Sequence, residues 1–479
     1  MVGVPGRAKS CGTCRIRKKG GCDMAKPACG QCVGRGLKCD GYQRQTTFIN
    51  TTAGPVQKHP ASVPEVPSSL AKSAYEEKYF GVFYEAYLPQ SRQLPLHIMA
   101  YTGGGWTNAL PQLSRTSPTV RKMLLAFGLT TAGYLWNKVD ERKEGLKYYT
   151  SSLRGMAAAV AVPNSAADPI MLCLVARMYS LYEVIFGHDE QDEVSQARSW
   201  RKHIHGELAL VTTQPPETYT SGYPHLFFVD GRYHLVRTSS PVLLNKLRAD
   251  QWQTTGAIVA RKKTVLSSPE WKSIPWRSIP KTPKDILLDI FVEMPALLQD
   301  IDEMRANPFS HPTLQHELVH RCWHYESELS AWRTQAGIAD PTYHLDVELA
   351  PPPALDLIAA SHILCVYWSM CIIIYSTLHS LSEDETLLPK RANPRIYCRR
   401  IAEALSVLLH PQSGVYGMHL ANFPAAVALV YLNGVEGGGA MSEEREIIVR
   451  VFEGSVTGKA TGRFIESTQR AEPRPSGLI

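Results

Sequence analysis

CGTCRIRKKGGCDMAKPACGQCVGRGLKC, the stretch from Cys11 to Cys39, holds six of the chain's eleven cysteines. The spacing is C-x2-C-x7-C-x6-C-x2-C-x6-C. Thiolates are good zinc ligands, and a C-x2-C pair can turn both sulfurs toward one ion. Two tetrahedral ions need eight ligand positions, and six sulfurs supply eight only if two of them bridge both ions. The text is also doubled. Cys11-Gly12-Thr13-Cys14-Arg15-Ile16-Arg17 returns as Cys29-Gly30-Gln31-Cys32-Val33-Gly34-Arg35. Two similar half-sites can close around a shared pair of metals. A segment this short cannot fold on apolar burial, so metal binding has to supply its folding free energy.

Charge follows the cysteines. The first 50 residues carry ten of the 51 Lys and Arg but only two of the 44 acids, Asp23 and Asp40, which leaves 41 basic against 42 acidic residues elsewhere. The whole positive excess therefore sits at the N-terminus, as expected of a module that meets a polyanion. The opening text MVGVPGRAKSCGTC has no apolar run of the signal-peptide kind, which points to a reducing compartment. Dense cysteines there mean metal rather than disulfides. The other five, Cys173, Cys322, Cys365, Cys371 and Cys398, lie among apolar residues and read as small core side chains.

These features resemble the fungal zinc binuclear cluster (Zn(2)-Cys(6)) transcription factors. The resemblance is carried by the six cysteines, the basic run Arg15-Ile16-Arg17-Lys18, Cys22-Asp23 at the third cysteine, and Pro27 two residues before the fourth. It implies that Cys11 and Cys29 bridge, that Cys14 and Cys22 complete one zinc, and that Cys32 and Cys39 complete the other, giving two zincs per chain. It implies that Pro27 shapes the loop between the halves. It further implies a nuclear, double-stranded-DNA-binding regulator of RNA polymerase II genes in a fungus, working through the transcription machinery on CGG-type half-sites, and control of a metabolic (secondary-metabolite) gene cluster. The two halves differ in charge. The first offers Arg15, Arg17, Lys18 and Lys19 in one short helix, the second only Arg35 and Lys38 in a Gly-rich one. The first helix is expected to enter the major groove, where cationic side chains donate to guanine O6 and N7. Arg17 and Lys18 match the family's base-reading positions; Lys19 and Arg44 are expected on phosphates. One feature departs from the pattern: seven residues separate the second and third cysteines where the family usually has six, with the surplus at Gly20-Gly21.

Beyond this cluster domain, residues 1–42, comes a polar stretch, 43–68, with Pro55, Pro60, Pro64 and Pro67. It reads as an extended linker and leaves no heptads for a coiled coil. Residues 1–70 are therefore expected to be monomeric, and any homodimer to form through the rest. Residues 69–479 read as an all-helical regulatory domain. Three- and four-residue apolar spacing runs from Ser69 until Leu88-Pro89 closes the first helix. It recurs around 120–136, 169–186, 286–299, 312–333, 355–380, 396–410 and 421–433, with strand-like alternation scarce. WRKHIHGELALV, YPHLFFVDGRYHLVR, LSSPEWKSIPW and MSEEREIIVRVF resemble the helical domain that follows such clusters in many fungal regulators. Ser239 to Ala260 matches nothing in that pattern.

Other readings compete. A zinc ribbon or RING-like module with one zinc would leave Cys22 and Cys39 idle and give the basic run no role. His316-Glu317-Leu318-Val319-His320 matches H-E-x-x-H, the metalloprotease signature. However, Leu314, Leu318, Cys322, Tyr325, Leu329 and Trp332 form the apolar stripe of that segment, which places His316, His320 and His324 on the opposite, solvated face. No enzyme activity is expected. Ile358 to Leu381 lacks Lys, Arg, Asp and Glu and is long enough to span a bilayer, but its two His, four Ser and Thr favour a buried core helix. Gly103-Gly104-Gly105 and Gly437-Gly438-Gly439 lack the Lys-Ser/Thr of a phosphate loop and read as turns. The acidic stretch Asp189 to Glu193 reads as a solvated loop.

Overall fold

A computed structural model describes residues 10–17, 21–42, 67–89, 93–161, 168–188, 192, 194–236, 263–306, 313–345, 350–382, 387–436 and 441–470. Lys18, Lys19, Gly20, Arg44, most of the linker, Gly437–Gly439, Ser239–Ala260 and most of Asp189–Glu193 lie outside the described residues. The chain divides into two compact units, Met1–Pro67 and Ser68–Ile479. The described residues of the second are helical, with no strand among them.

Four of its helices begin where the chain supplies a side-chain cap followed by proline. Ser117-Pro118 starts Pro118–Leu135, Asp168-Pro169 starts Pro169–Phe186, Thr282-Pro283 starts Pro283–Phe291, and Asn393-Pro394 starts Pro394–Leu408. In each, the cap oxygen accepts one of the backbone N–H groups a helix start leaves orphaned, and proline adds none to the orphans. Thr282 goes further and shares a reciprocal capping box with Asp285. The segment expected as one helix over 286–299 is two, Pro283–Phe291 and Met294–Ala306. Pro295 explains the break, since it lacks the N–H and crowds the carbonyl a continuous helix would need.

Pairs of sequence neighbours pack on each other: Pro118–Leu135 on Val139–Ala161, Pro169–Phe186 on Ser195–Thr212, Leu355–Leu381 on Pro394–Leu408. Leu355–Leu381 runs through the core, with 83% of its most apolar window buried. By length and composition it could cross a membrane, as could Pro169–Phe186 and the segment Pro411–Glu436. Here all three cover their apolar faces with neighbouring helices. Gly104 takes φ of +100° and leads into the single-turn helix Gly105–Ala109, so the first triple-glycine run is a turn. A Cβ on Gly104 would sit 2.7 Å from the Tyr416 ring. In Leu314–Ala336, Leu318, Cys322, Tyr325, Leu329 and Trp332 are buried, while His316, His320 and His324 are exposed. The H-E-x-x-H text thus lies along a solvated face.

Some polar groups are buried at the centre. Lys284 reaches Asp230 at 3.0 Å and donates to the Thr102 carbonyl at 2.8 Å, and Asp230 accepts the Trp106 N–H at 2.7 Å. Beside them His362 is buried, with Nδ1 3.4 Å from the Tyr101 carbonyl and Nε2 without a partner among the described residues. Burial pushes its imidazole down to about 3, the Tyr101 carbonyl opposes this, and the Lys284 ammonium adds to it. His362 is therefore neutral when folded and protonates more readily when unfolded. A depressed histidine contributes stability that is present above its unfolded pKa of about 6.5 and lost as pH falls below it. His410, also depressed by burial, acts in the same direction. All nine tryptophans lie beyond residue 67, so their fluorescence reports this unit alone. Denaturant midpoints followed by that signal should fall from pH 7 to pH 5, before most carboxylates titrate, and His362→Leu should flatten the slope. An unchanged slope in the variant would remove His362 as its source.

Candidate metal and nucleic-acid site

The doubling of the sequence becomes a doubling of structure. Cys11 and Cys29 are the N-caps of two short helices, Gly12–Ile16 and Gly30–Val33. The Cys11 sulfur accepts the Cys14 N–H at 3.4 Å. Each helix turns the second cysteine of its C-x2-C pair, Cys14 or Cys32, inward to burial. The last cysteine of each half is then followed by an aspartate that grips the other half. Asp23, after Cys22, accepts the Gly30 N–H at 2.9 and 3.0 Å. Asp40, after Cys39, accepts the Thr13 hydroxyl at 2.9 Å, and Thr13 accepts the Asp40 N–H at 3.0 Å. Gly12 donates to the Gly41 carbonyl at 2.9 Å. A Cβ on Gly30 would lie 2.6 Å from an Asp23 oxygen, and one on Gly12 3.0 Å from the Asp40 Cβ. A side chain after the first cysteine of either half would press on the aspartate that joins the halves. Tyr42 packs against the buried cysteine cluster, as Cys22 and Cys39 do, and its hydroxyl donates to the Ala25 carbonyl at 2.8 Å. The Lys26–Pro27 peptide in that loop is cis.

The six sulfurs form two groups of four. Cys11, Cys14, Cys22 and Cys29 make one, and Cys11, Cys29, Cys32 and Cys39 the other, with the ligand atoms of each group within 4.8 Å of one another. Cys11 and Cys29 belong to both. Their sulfurs are 3.6 Å apart, Cys11 to Cys32 is 3.8 Å and Cys14 to Cys29 is 3.7 Å. A tetrahedron with zinc–sulfur bonds of about 2.3 Å has edges of about 3.8 Å. The spacing therefore suits thiolates around a metal and is far longer than a disulfide bond of about 2.05 Å; all eleven cysteines are free. The electrostatics agree. Burial pushes the Cys29 and Cys32 thiols up to about 12 and about 11, so neither ionises unaided near neutral pH. The N–H groups of Cys11 and Met24 pull Cys22 down to about 7. Six thiolates in one small pocket need cations among them, and two divalent ions supply the charge.

The extra residue between Cys14 and Cys22 does not break this arrangement. Gly21 takes φ of +92°, a left-handed conformation that favours glycine, and a Cβ there would meet nothing within 4 Å. The surplus is taken up in the loop, and both cysteines still enter the same group of four.

The basic side chains stand outside. Arg15 and Arg17 are exposed, as are Arg35 and Lys38 in the second half. The first helix is shorter than expected. It ends at Ile16, with Arg17 as its C-cap, so it does not carry Arg17 within it. Glycine at Gly34 and a positive φ at Gly36 end the second after one turn. Ile16 is 75% exposed on the same short helix as Arg15. Sequence reasoning passed over Asp40, Tyr42 and the pairing of each aspartate with the opposite glycine. The signal was present, because Cys22-Asp23 and Cys39-Asp40 repeat as the C-G-x-C pairs do.

Residues 9–47 match the fungal Zn(2)-Cys(6) binuclear cluster domain. No curated protein or solved structure matches the chain. A domain of this kind binds two zinc ions and DNA and belongs to transcription regulators, for which the nucleus is the expected location.

Proposed function

We propose that this chain is a sequence-specific regulator of RNA polymerase II genes in a fungus, reading CGG-type half-sites through its first cysteine half-site. The observation that carries the reading is the pair of four-sulfur groups sharing Cys11 and Cys29, with Arg15 and Arg17 exposed at the end of the adjoining helix. In this reading Cys11 and Cys29 bridge, Cys14 and Cys22 complete one zinc, and Cys32 and Cys39 complete the other. The ions fix the two short helices, which have too few residues to persist alone. Arg15, Arg17 and Lys18 face the bases; Lys19, Arg35, Lys38 and Arg44 neutralise phosphates. Residues 1–42 act as the DNA-binding domain, 43–68 as a linker and 69–479 as the regulatory domain that passes the signal to the transcription machinery. The gene set is proposed to be a metabolic cluster. Selection of bound sequences from random duplex DNA by the full-length protein tests the half-site directly, and recovery of no enriched triplet would reject it.

Base reading and phosphate neutralisation separate by mutation. Lys18→Ala should cost about 1–3 kcal/mol at the preferred site and flatten the preference at one base. Lys19→Ala should weaken binding to all sequences alike and lower the salt slope by about one unit. Equal losses on specific and random DNA for Lys18→Ala would remove it from the reading set.

A further inference from the structure

Outside the sulfurs, the two short helices of the cluster are not held alike. The second, Gly30–Val33, is tied to the opposite half at one residue, by the Gly30 N–H on the two Asp23 oxygens at 2.9 and 3.0 Å. The first, Gly12–Ile16, is tied at two. The Gly12 N–H donates to the Gly41 carbonyl at 2.9 Å. The next residue, Thr13, has three contacts on one oxygen. Its hydroxyl lies 3.0 Å from the Lys38 carbonyl and 2.9 Å from Asp40 Oδ2, and it accepts the Asp40 N–H at 3.0 Å. A hydroxyl has one hydrogen to give and lone pairs to receive with, so this hydrogen is shared between two acceptors while the oxygen takes a third bond. The position that matches Thr13 in the repeat is Gln31, whose side chain is exposed and makes no such bond among the described residues. The asymmetry falls on the helix with the cations. Arg15 follows Thr13 by two residues and Arg17 caps the same helix, and both are exposed.

We propose that Thr13 is a positioning residue for DNA reading: by clasping the Lys38–Asp40 segment it fixes the angle at which Arg15 and Arg17 are presented. This rests on the reading of the first half as the base-reading element, and it adds the residue that aims that element. The sulfurs alone leave the angle loose. Cys11 and Cys14 meet in one group of four, and a helix held at two points can still rock about the line through them. The attachments at Gly12 and Thr13 remove that freedom. They add little to stability, because the Thr13–Asp40 contacts are exposed and water offers equivalent bonds. What they set is geometry, since a recognition side chain works only when its supporting hydrogen bonds hold it in place. A guanine edge accepts bonds over a narrow range of directions in the groove, whereas phosphates carry no sequence information and tolerate many approaches. Loss of the clasp therefore costs recognition of the preferred sequence and spares the general attraction to DNA.

Thr13→Val tests this in the full-length, zinc-loaded protein, because valine keeps the branched shape and removes the hydroxyl. The variant should retain the zinc content of wild type. It should bind random duplex DNA within about twofold of wild type and with the same salt slope. Its affinity for the sequence that wild type selects should fall by about tenfold. Thr13→Ser, which restores the hydroxyl, should recover the preference, and Gln31→Val, at the matching position, should leave it unchanged. Loss of zinc from Thr13→Val would overturn the inference, because the clasp would then serve the cluster itself. Equal losses on specific and random DNA would overturn it too, as would a Thr13→Ser protein that stays defective or a Gln31→Val protein as impaired as Thr13→Val. A wild type that prefers no sequence would instead defeat the functional reading on which the inference rests.

Discussion

Cys11→Ser and Cys29→Ser should each strip both zinc ions from the protein and abolish DNA binding, whereas Cys39→Ser should leave one ion in place. The asymmetry follows from membership. Cys11 and Cys29 stand in both four-sulfur groups, whereas Cys39 stands in one. Loss of a shared sulfur leaves each ion with three ligands, and the short helix that begins at the substituted cysteine loses its tie to both ions. Structural zinc contributes on the order of 10–16 kcal/mol in small peptides that fold around it. Among the described residues of Met1–Pro67 no other interaction is of that size, because their buried apolar cluster consists of the cysteines themselves. The second unit should not notice. None of the six cysteines belongs to its core, so its tryptophan fluorescence and melting should be unchanged. Zinc released per chain, measured by a chromogenic chelator, and far-UV circular dichroism check both halves of the expectation. One zinc per intact wild-type chain, or one retained by Cys11→Ser, would sink the shared-ligand arrangement.

The cluster was legible because its chemistry is written in spacing. Metal ligation fixes which residue types stand where, and the C-G-x-C repeat gave the two half-sites before any geometry was known. The helices of the second unit were legible where their buried faces are large and aliphatic, as in Leu355–Leu381. Several helices escaped apolar spacing, Gly222–Val236 and Glu443–Glu453 among them. Val139–Ala161 buries Gly145, Tyr149 and Ser152, and Val456–Arg470 buries Gly458, Thr461, Phe464, Ile465, Ser467 and Thr468. Small polar residues let helices approach closely, yet they do not register as an apolar stripe. Ser195–Thr212 was noticed only as a familiar stretch, although Trp200, Ile204, Glu207 and Val211 stand at helical spacing. A glutamate in that row hid it. The cap-proline pairs at 117–118, 168–169, 282–283 and 393–394 mark helix starts more sharply than apolar spacing does, and they are plain in the sequence.

That glutamate carries the other large effect. Glu207→Gln should destabilise the helical unit by about 3–5 kcal/mol, the usual loss when one partner of a buried ion pair is removed. Glu207 and Arg177 are both buried, 0% and 2% exposed. The Arg177 guanidinium reaches one Glu207 oxygen at 2.5 and 3.1 Å, His234 Nε2 lies 2.8 Å from the other, and Arg177 also donates to the Phe227 carbonyl at 2.6 Å. Three helices, Pro169–Phe186, Ser195–Thr212 and Gly222–Val236, are thereby pinned at one point. Space is tight as well, since a Cβ on Gly231 would sit 2.2 Å from an Arg177 nitrogen. Burial alone would push the Glu207 carboxyl up, but Arg177 and His234 outweigh it and hold the carboxyl below its usual range. A depressed carboxylate contributes stability that is present at neutral pH and lost as pH falls through its folded value. Glutamine keeps the shape and removes the charge, which leaves the Arg177 cation buried without its counter-ion. Arg177→Met/Glu207→Met removes both charges and should cost less than Glu207→Gln alone, because no uncompensated ion remains. Urea unfolding followed by tryptophan fluorescence gives both numbers. A loss under about 1 kcal/mol for Glu207→Gln, or a double variant less stable than the single, would show that this ion pair is not what holds the three helices together.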